Sequence, residues 1–321
     1  MKEIGGYFEL ELPEKRDRFL HSDGCLVNSG RHALEYILRS LGDIVKKVWL
    51  PYYTCDVVLQ PLNRLGIGYS FYHINLNFEL TSYPKLDDGE YIIVNNYFGI
   101  KDLYIIKLAE LYGERLIIDN AQAWYAPVLP DIKSFYSPRK FFGVPDGGVA
   151  YDQGMSLTDL EIDFSADRCS HLLKRIDVSA GEGYADFRAN SALLGKEPLK
   201  SMSSLTSVLL STVDMEAVRI KRRRNYAILA EALNGNNRLS LPVEYSFNCP
   251  MVYPYMATTP ELRKRLIDHK VFVATYWPNV KDLCGKDTVE FMLASDVLPL
   301  PIDQRYNEED MNRIIDNIKG K

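Results

Sequence analysis

Three short stretches carry residues that could do chemistry together: SGRHAL at 29–34, DNAQAW at 119–124 and SFYSPRK at 134–140. Gly30 lets a ligand approach the backbone closely, and a helix starting there offers unpaired amides and the positive end of a dipole to an anion. Arg31 adds a possible charge-assisted contact. Taken singly, Gly30 is also readable as an ordinary turn glycine. Asp119 closes an apolar run, IIDN, where a carboxylate must find a partner or shift its pKa. A buried cationic nitrogen is such a partner, and a helix N-cap role is the plainer alternative. At about 4 Å and an effective dielectric near 20 a cation gains roughly 4 kcal/mol, about three decades of acidity, enough to keep a pyridine-type nitrogen protonated at neutral pH. Lys140 needs its neutral amine to act as a nucleophile, and a free lysine at pH 7 is neutral in only about one part in 2,500. An apolar setting of Phe135, Tyr136, Phe141 and Phe142, or the neighbouring cation Arg139, lowers that pKa. Imine formation bypasses it. The plainer reading of Arg139 and Lys140 is a surface charge pair in a loop. Ser134 and Ser137 offer hydroxyls to a phosphate on the same ligand.

An anion-binding helix start, a carboxylate for a pyridinium and a lysine for an imine, in that order, match the three ends of pyridoxal 5′-phosphate. Such a site must be held by a sheet. From 24 to 151 short β-rich runs alternate with helical periodicity, the pattern of an α/β sheet with helices on its faces. CLVN precedes a helix from Gly30, whose Ala33, Leu34, Ile37, Leu38 and Leu41 share one stripe. Strands are predicted in VKKVWLP, YSFYHI (69–74), YIIVNNY (91–97), RLIIDNA (115–121), IKSFYS and GGVAY, and helices run to Gly66 and over 102–113. The candidate residues then lie at strand C-terminal ends, where ligands bind in open α/β sheets.

The expected fold is thus α/β, a mostly parallel central sheet flanked by helices, with a smaller C-terminal α+β domain. We divide the chain into 1–211 and 212–321. Residues 153–205 read as a long excursion covering the site or an interface, and a long helix from 212 is predicted to stop near Gly235. Its stripe of Met215, Val218, Tyr226, Leu229 and Leu233 is interrupted by Arg222, and RIKRRR (219–224) reads as a solvated face. MVYPYMA and VFVATYW read as strands of the small domain. Asn307 is an N-cap for a last helix with Met311, Ile314, Ile315 and Ile318 on one face.

Composition narrows the classes. The 321 residues carry 38 Lys+Arg against 43 Asp+Glu, a formal net charge of −5, which does not suggest a nucleic-acid binder. Five scattered cysteines without a CxxC pair indicate neither a disulfide framework nor a zinc site and fit a reducing, cytoplasmic setting. The five histidines show no ligand spacing, so no metal is expected. No apolar stretch approaches the roughly 20 residues that span a bilayer. The glycines of LGIGYS (65–70) lack the third glycine of a dinucleotide fingerprint.

Through SGRHAL, LPYYTCDVV, IIDNAQAW, SFYSPRKFFGVPDGG, RRRNYAIL and LPLPIDQRY, the chain resembles the DegT/StrS-type sugar aminotransferases, fold-type I pyridoxal phosphate enzymes. The resemblance implies Lys140 as the Schiff-base lysine and proton shuttle, Asp119 against the pyridine nitrogen, and Gln122 near the ring's 3-hydroxyl. It implies Gly30 and Arg31 at the phosphate, with Ser137 or Ser134. It further implies a homodimer that takes an amino-acid donor, glutamate above all, and a keto sugar, nucleotide-linked, for polysaccharide or secondary-metabolite synthesis. Where the family often stacks an aromatic on the cofactor this chain has Cys55, so Tyr53, Tyr97 or Phe98 is expected to substitute. The family's asparagine-arginine-methionine-serine motif is reduced to KSMSS (200–204), and Arg31 stands where a small hydroxyl residue is usual. A non-catalytic ligand-binding or regulatory descendant of the fold is the alternative.

Overall fold

The computed structural model describes residues 7–14, 16, 18–152, 159–242, 246–256, 259 and 261–320. Within them β1 (Cys25–Val27) leads into α1 (Gly30–Leu41), followed by β2 (Lys47–Pro51), α2 (Leu59–Leu65), β3 (Gly68–Tyr72), β4 (Glu90–Asn95), α3 (Asp102–Tyr112), β5 (Leu116–Asn120), β6 (Lys133–Tyr136) and β7 (Gly148–Tyr151). These seven strands form one sheet in the order β1-β7-β6-β5-β4-β2-β3. The pairs from β3 to β6 are parallel, whereas β7 is antiparallel to both β6 and β1. Two antiparallel pairings in succession return β1 to the direction of β6. The C-terminal ends of β1, β5 and β6 therefore share one edge.

The expected helix starts have local causes. Ser29 caps α1, its hydroxyl taking the His32 amide, and α2 ends on Gly66 in the left-handed region at φ +68°. Alternation splits the sheet's faces. Ile93, Ile117, Phe135 and Ala150 pack under α1, while Val94, Ile118, Tyr136 and Val149 face the larger core.

The 153–205 excursion contains α4 (Ser170–Asp177) and α5 (Tyr184–Lys196); residues 153–158 lie outside the described residues. Then come α6 (Ser204–Ser211), α7 (Met215–Leu233), β8 (Val252–Met256), α8 (Leu262–Asp268), α9 (Val280–Leu283), α10 (Val289–Asp296), β9 (Val297–Pro301) and α11 (Glu308–Lys319). β8 and β9 make a two-stranded antiparallel sheet. Its core is continuous with that of the large sheet. Among the described residues no helix is long and apolar enough to cross a membrane.

Two expectations are corrected. VFVATYW (271–277) is not a strand: Val271 and Val273 are buried and Phe272 exposed, but the carbonyls of Val273 and Ala274 accept from Arg263 instead of a ladder partner. One-sided burial alone produced the alternation. RIKRRR is not wholly a solvated face, because Arg222 is 2% exposed. It donates from Nε to Gln304 (3.0 Å), from Nη1 to the Met251 carbonyl (3.0 Å) and from Nη2 to the Phe141 carbonyl (3.2 Å), with its guanidinium over the Phe141 ring. The charge in the apolar stripe is a tie between the two parts of the chain.

Candidate active site

A cavity of about 310 Å³ opens at the shared strand edge. The start of α1 (Ser29, Gly30, Arg31) lines it after β1, and Thr54 and Cys55 after β2. Asn95, Asp119 and Phe135 lie in register across β4, β5 and β6 and all face it. Gln122, Ser137, Arg139 and Lys140 follow from the loops after β5 and β6. The sequence-predicted residues Gly30, Arg31, Cys55, Asp119, Gln122, Ser137 and Lys140 are thereby brought together.

Ser134 and Tyr97 are not. Ser134 pairs in register with Ile118, one residue out of phase with Asp119 and Phe135, so it faces the opposite side of the sheet. Tyr97 is 1% exposed, donates its hydroxyl to the Tyr53 carbonyl at 2.8 Å and belongs to the core. Tyr53 and Phe98 are core residues too. The aromatics that wall the cavity are Phe135, Phe187 and Trp277, and Tyr53 supports Trp277 with a ring-centroid separation of 5.0 Å.

Trp277 and the α5 residues Phe187 and Ser191 were missed. They arrive from segments more than 45 residues away from the Lys140 loop, and no local pattern connects them to it. The expected cover over the site by the 153–205 excursion was the only sequence signal for α5.

Asp119 accepts from the Ala121 amide at 2.8 Å through Oδ1, and its Oδ2 has no hydrogen-bond partner among the described residues. Burial raises its pKa to about 6; that amide and Lys140 pull in the other direction. Lys140 stands where this cavity meets a second of about 650 Å³, and both contain it. Its side chain makes no hydrogen bond or ion pair among the described residues, and Nζ lies over the Tyr276 ring at 6.0 Å from the centroid. The residue is exposed at the cavity mouth, and desolvation of the amine by the surrounding protein lowers its pKa, with Arg139 and Arg31 adding to the effect and Cys55 and Asp119 opposing it. The Cys55 thiol is raised by burial.

The loop carrying Lys140 is clamped on both sides. The Phe141 carbonyl takes hydrogen bonds from Arg222 and from Gln304 Nε2 (2.8 Å). Further along, the fully buried Asp146 accepts from the Ser203 amide (2.9 Å), the Ser203 hydroxyl (2.7 Å) and the Thr206 hydroxyl. Ser203, from KSMSS, caps α6 and binds within its own chain.

Whether these residues suit pyridoxal phosphate is tested by what they leave open. Gln122 is 6% exposed; its Oε1 accepts from the Phe98 amide at 3.0 Å, but its Nε2, a donor fit for a ring hydroxyl oxygen, has no partner among the described residues. Among the described residues Asp119 Oδ2 has no partner and suits a cationic ring nitrogen, and the Ser137 hydroxyl has none and suits an anion, while the first amide of α1, Gly30, is taken up in the parallel bridge between Ser29 and Gly147. A side chain at Gly30 would place Cβ 3.2 Å from Ser137 Cβ, so the approach there is glycine's. The donor set fits.

No protein-family model and no curated protein match the chain. Solved structures do. A DegT DnrJ EryC1 StrS aminotransferase from Brucella abortus is 17% identical, with a TM-score of 0.62 over 92% of this chain and 85% of that one. Sugar aminotransferase CalS13 from Micromonospora echinospora is 16% identical, with a TM-score of 0.62 over 92% and 86%. The PMP form of a putative sugar aminotransferase, Spr1654, from Streptococcus pneumoniae is 14% identical, with a TM-score of 0.62 over 94% and 88%. The chain has the fold of these aminotransferases.

Proposed function

We propose that the protein is a pyridoxal 5′-phosphate-dependent aminotransferase that moves an amino group from an amino-acid donor, glutamate first, onto a keto sugar. The observation that carries this reading is the convergence of Asp119, Lys140 and the Gly30–Ser137 pair on one cavity, with Gln122 Nε2 unpartnered beside them. When bound, the cofactor supplies an aldehyde carbon for an amine and a ring that accepts electrons.

Asp119 would hold the ring nitrogen by charge. Gln122 would donate to the ring oxygen, and Ser137 and α1 would take the phosphate. Lys140, with its depressed pKa and no competing partner, keeps a larger neutral fraction than a surface lysine and can carry a proton at Nζ to and from the donor's α-carbon. The buried Trp277 limits water at that exchange, with the exposed Phe187 at the cavity wall.

The adjoining 650 Å³ cavity shares Arg139, Lys140 and Phe187 with the first and adds Arg175, Arg305 and Tyr184. Arg305 is paired there with Asp303, which leaves Arg139 and Arg175 beside the exposed Tyr184 as the features that support a nucleotide-linked sugar as the class of acceptor. We further propose a cytoplasmic homodimer; exposed Ile162, Phe164, Ile176, Val178 and Tyr184 support a subunit contact in this segment. The division into 1–211 and 212–321 belongs to the same proposal.

The purified protein should be yellow, with absorbance that shifts on adding glutamate, and Lys140→Ala should lack that response. A coloured wild type that responds to none of a panel of amino donors would refute the transaminase assignment.

A further inference from the structure

Asn95 brings to the cavity a buried acceptor that no donor meets. The residue ends β4, lines the cavity and is 6% exposed. Its Nδ2 donates to Thr54 Oγ1 at 3.0 Å, but its Oδ1 accepts from nothing among the described residues. A buried amide oxygen left without a donor is costly, and in a binding cavity it marks a donor that comes and goes. Thr54 is itself held, its carbonyl accepting from Asn279 Nδ2 at 3.0 Å. It follows β2, and β4 lies between β2 and β5 in the sheet. With Nδ2 drawn to the β2 side, the other arm of the planar amide turns toward β5.

The side chain on that side is Asp119. Asn95 and Asp119 are partners in the parallel register of β4 and β5, so they leave the same face of the sheet on strands about 4.8 Å apart. Asp119 Oδ1 is engaged by the Ala121 amide, and Oδ2 has no partner among the described residues. An amide oxygen beside a carboxylate oxygen is repelled by it, whereas one proton between them makes a hydrogen bond. Asp119 can carry that proton, because burial raises its pKa to about 6. The other titratable groups around it are Lys140, Arg31, Arg139 and Cys55 in the cavity, and Tyr72 and Tyr97 from the opposite side of the sheet. Lys140 and the Ala121 amide both pull Asp119 toward ionisation, so the neutral acid needs support from elsewhere.

We infer that Asn95 is the positioning residue for the Asp119 proton: in the empty site the neutral acid donates from Oδ2 to Asn95 Oδ1. A ligand with a basic ring nitrogen would take that proton, the O–H bond giving way to an N–H bond, and leave the carboxylate paired with the cation so formed. The proposed cofactor enters only as the bearer of that nitrogen. The acid–amide pair stands without it.

The test uses the full-length protein freed of cofactor. Wild type, Asn95→Leu and Asn95→Asp are each compared with the same protein carrying Asp119→Asn, circular dichroism confirming that all are folded. The difference in melting midpoint from pH 3 to 8 reports how tightly Asp119 holds its proton. Because folding raises this pKa from 3.8, the advantage of Asp119→Asn grows above that pH and levels off at the folded-state value, near 6 in the wild type. In Asn95→Leu it should level off about one pH unit lower, a roughly tenfold loss of proton affinity for one lost hydrogen bond. In Asn95→Asp it should level off higher, since two carboxylates share a proton more tightly; this variant carries the test if the leucine variant does not fold. Infrared difference spectra at about pH 5 give a second readout. The protonated-carboxyl band absent from Asp119→Asn should move to higher frequency in Asn95→Leu.

An Asn95→Leu profile that levels off at the wild-type pH, with an unmoved carboxyl band, would reduce Asn95 to packing and overturn the inference. So would a shift to higher pH, which would mean that the amide is turned round and Nδ2 donates to the carboxylate. Pyridoxal 5′-phosphate is then added to the wild type. A protein with the predicted profiles that gains no colour would sink the proposed enzyme and leave Asn95 its role.

Discussion

Asp119→Asn separates the two demands placed on the carboxylate. Asp119 titrates near 6 in the folded protein, raised from 3.8 mainly by burial. Because the folded state binds the proton more tightly than the unfolded chain, ionising Asp119 weakens the fold. The penalty is absent below about pH 3.8 and complete above about pH 6. At 1.36 kcal/mol per decade of proton affinity it reaches at most about 3 kcal/mol. Asparagine keeps an oxygen for the Ala121 amide and carries no charge. Cofactor-free Asp119→Asn should therefore melt higher than the wild type at pH 7.5, by on the order of 5 °C. The difference should shrink as pH falls through 6 and vanish near pH 4. With pyridoxal phosphate and donors present the same variant should be a poor enzyme, since a charge contact of roughly 4 kcal/mol with a ring nitrogen corresponds to a loss of about three decades in rate. Parallel melts from pH 4 to 8 and a donor-driven spectral assay measure both effects. An asparagine variant no more stable at pH 7.5 would refute burial as the dominant influence on this carboxylate. A gain that persists undiminished to pH 4 would place it in packing instead of titration.

Asp146→Ala should destabilise the protein by about 3 kcal/mol or more, because it strands three donors in a fully buried site; urea midpoints measure this, and a near-wild-type midpoint would deny the clasp its role. Asn307→Ala removes the cap and the reciprocal Asp310 contact of α11 and should cost about 1 kcal/mol, read in the same way.

Sequence periodicity carried the local elements far better than their assembly. The α11 face of Met311, Ile314 and Ile315 and its Asn307 cap are decided within one helix, and both were legible. The strands from β1 to β7 were legible as runs of apolar residues, but the insertion of β7 between β1 and β6, antiparallel to both, depends on β1 pairing with a strand more than a hundred residues away, Cys25 opposite Ala150. The choice between Ser134 and Ser137 is a matter of register: Phe135 shares a row with Asp119, so Ser134 must turn away and Ser137, beyond the strand end, turns in. Tyr97 misled because an aromatic after a strand end is equally suited to a ligand wall or a core, and its hydroxyl has a backbone partner in the core. Trp277 reaches the cavity from a segment whose alternation read as a strand.

The distribution of hydrogen bonds around Lys140 argues for a working amine over a structural one. Its neighbour Phe141 is fixed through the carbonyl by Arg222 and Gln304, themselves set by α7 and by the turn after β9. Asp146, six residues on, is fixed by α6. The Phe141 and Phe142 amides both bond to the Pro138 carbonyl, closing the turn on which the lysine sits. A loop held by α6, α7 and the segment after β9 is a costly way to present a surface charge, and the Lys140 amine is given no hydrogen-bond or ion-pair partner among the described residues. Rigid support around an unbonded amine, opposite a carboxylate that burial makes reluctant to ionise, is the arrangement in which a bound cation at Asp119 and a carbonyl at Lys140 would each relieve an existing imbalance.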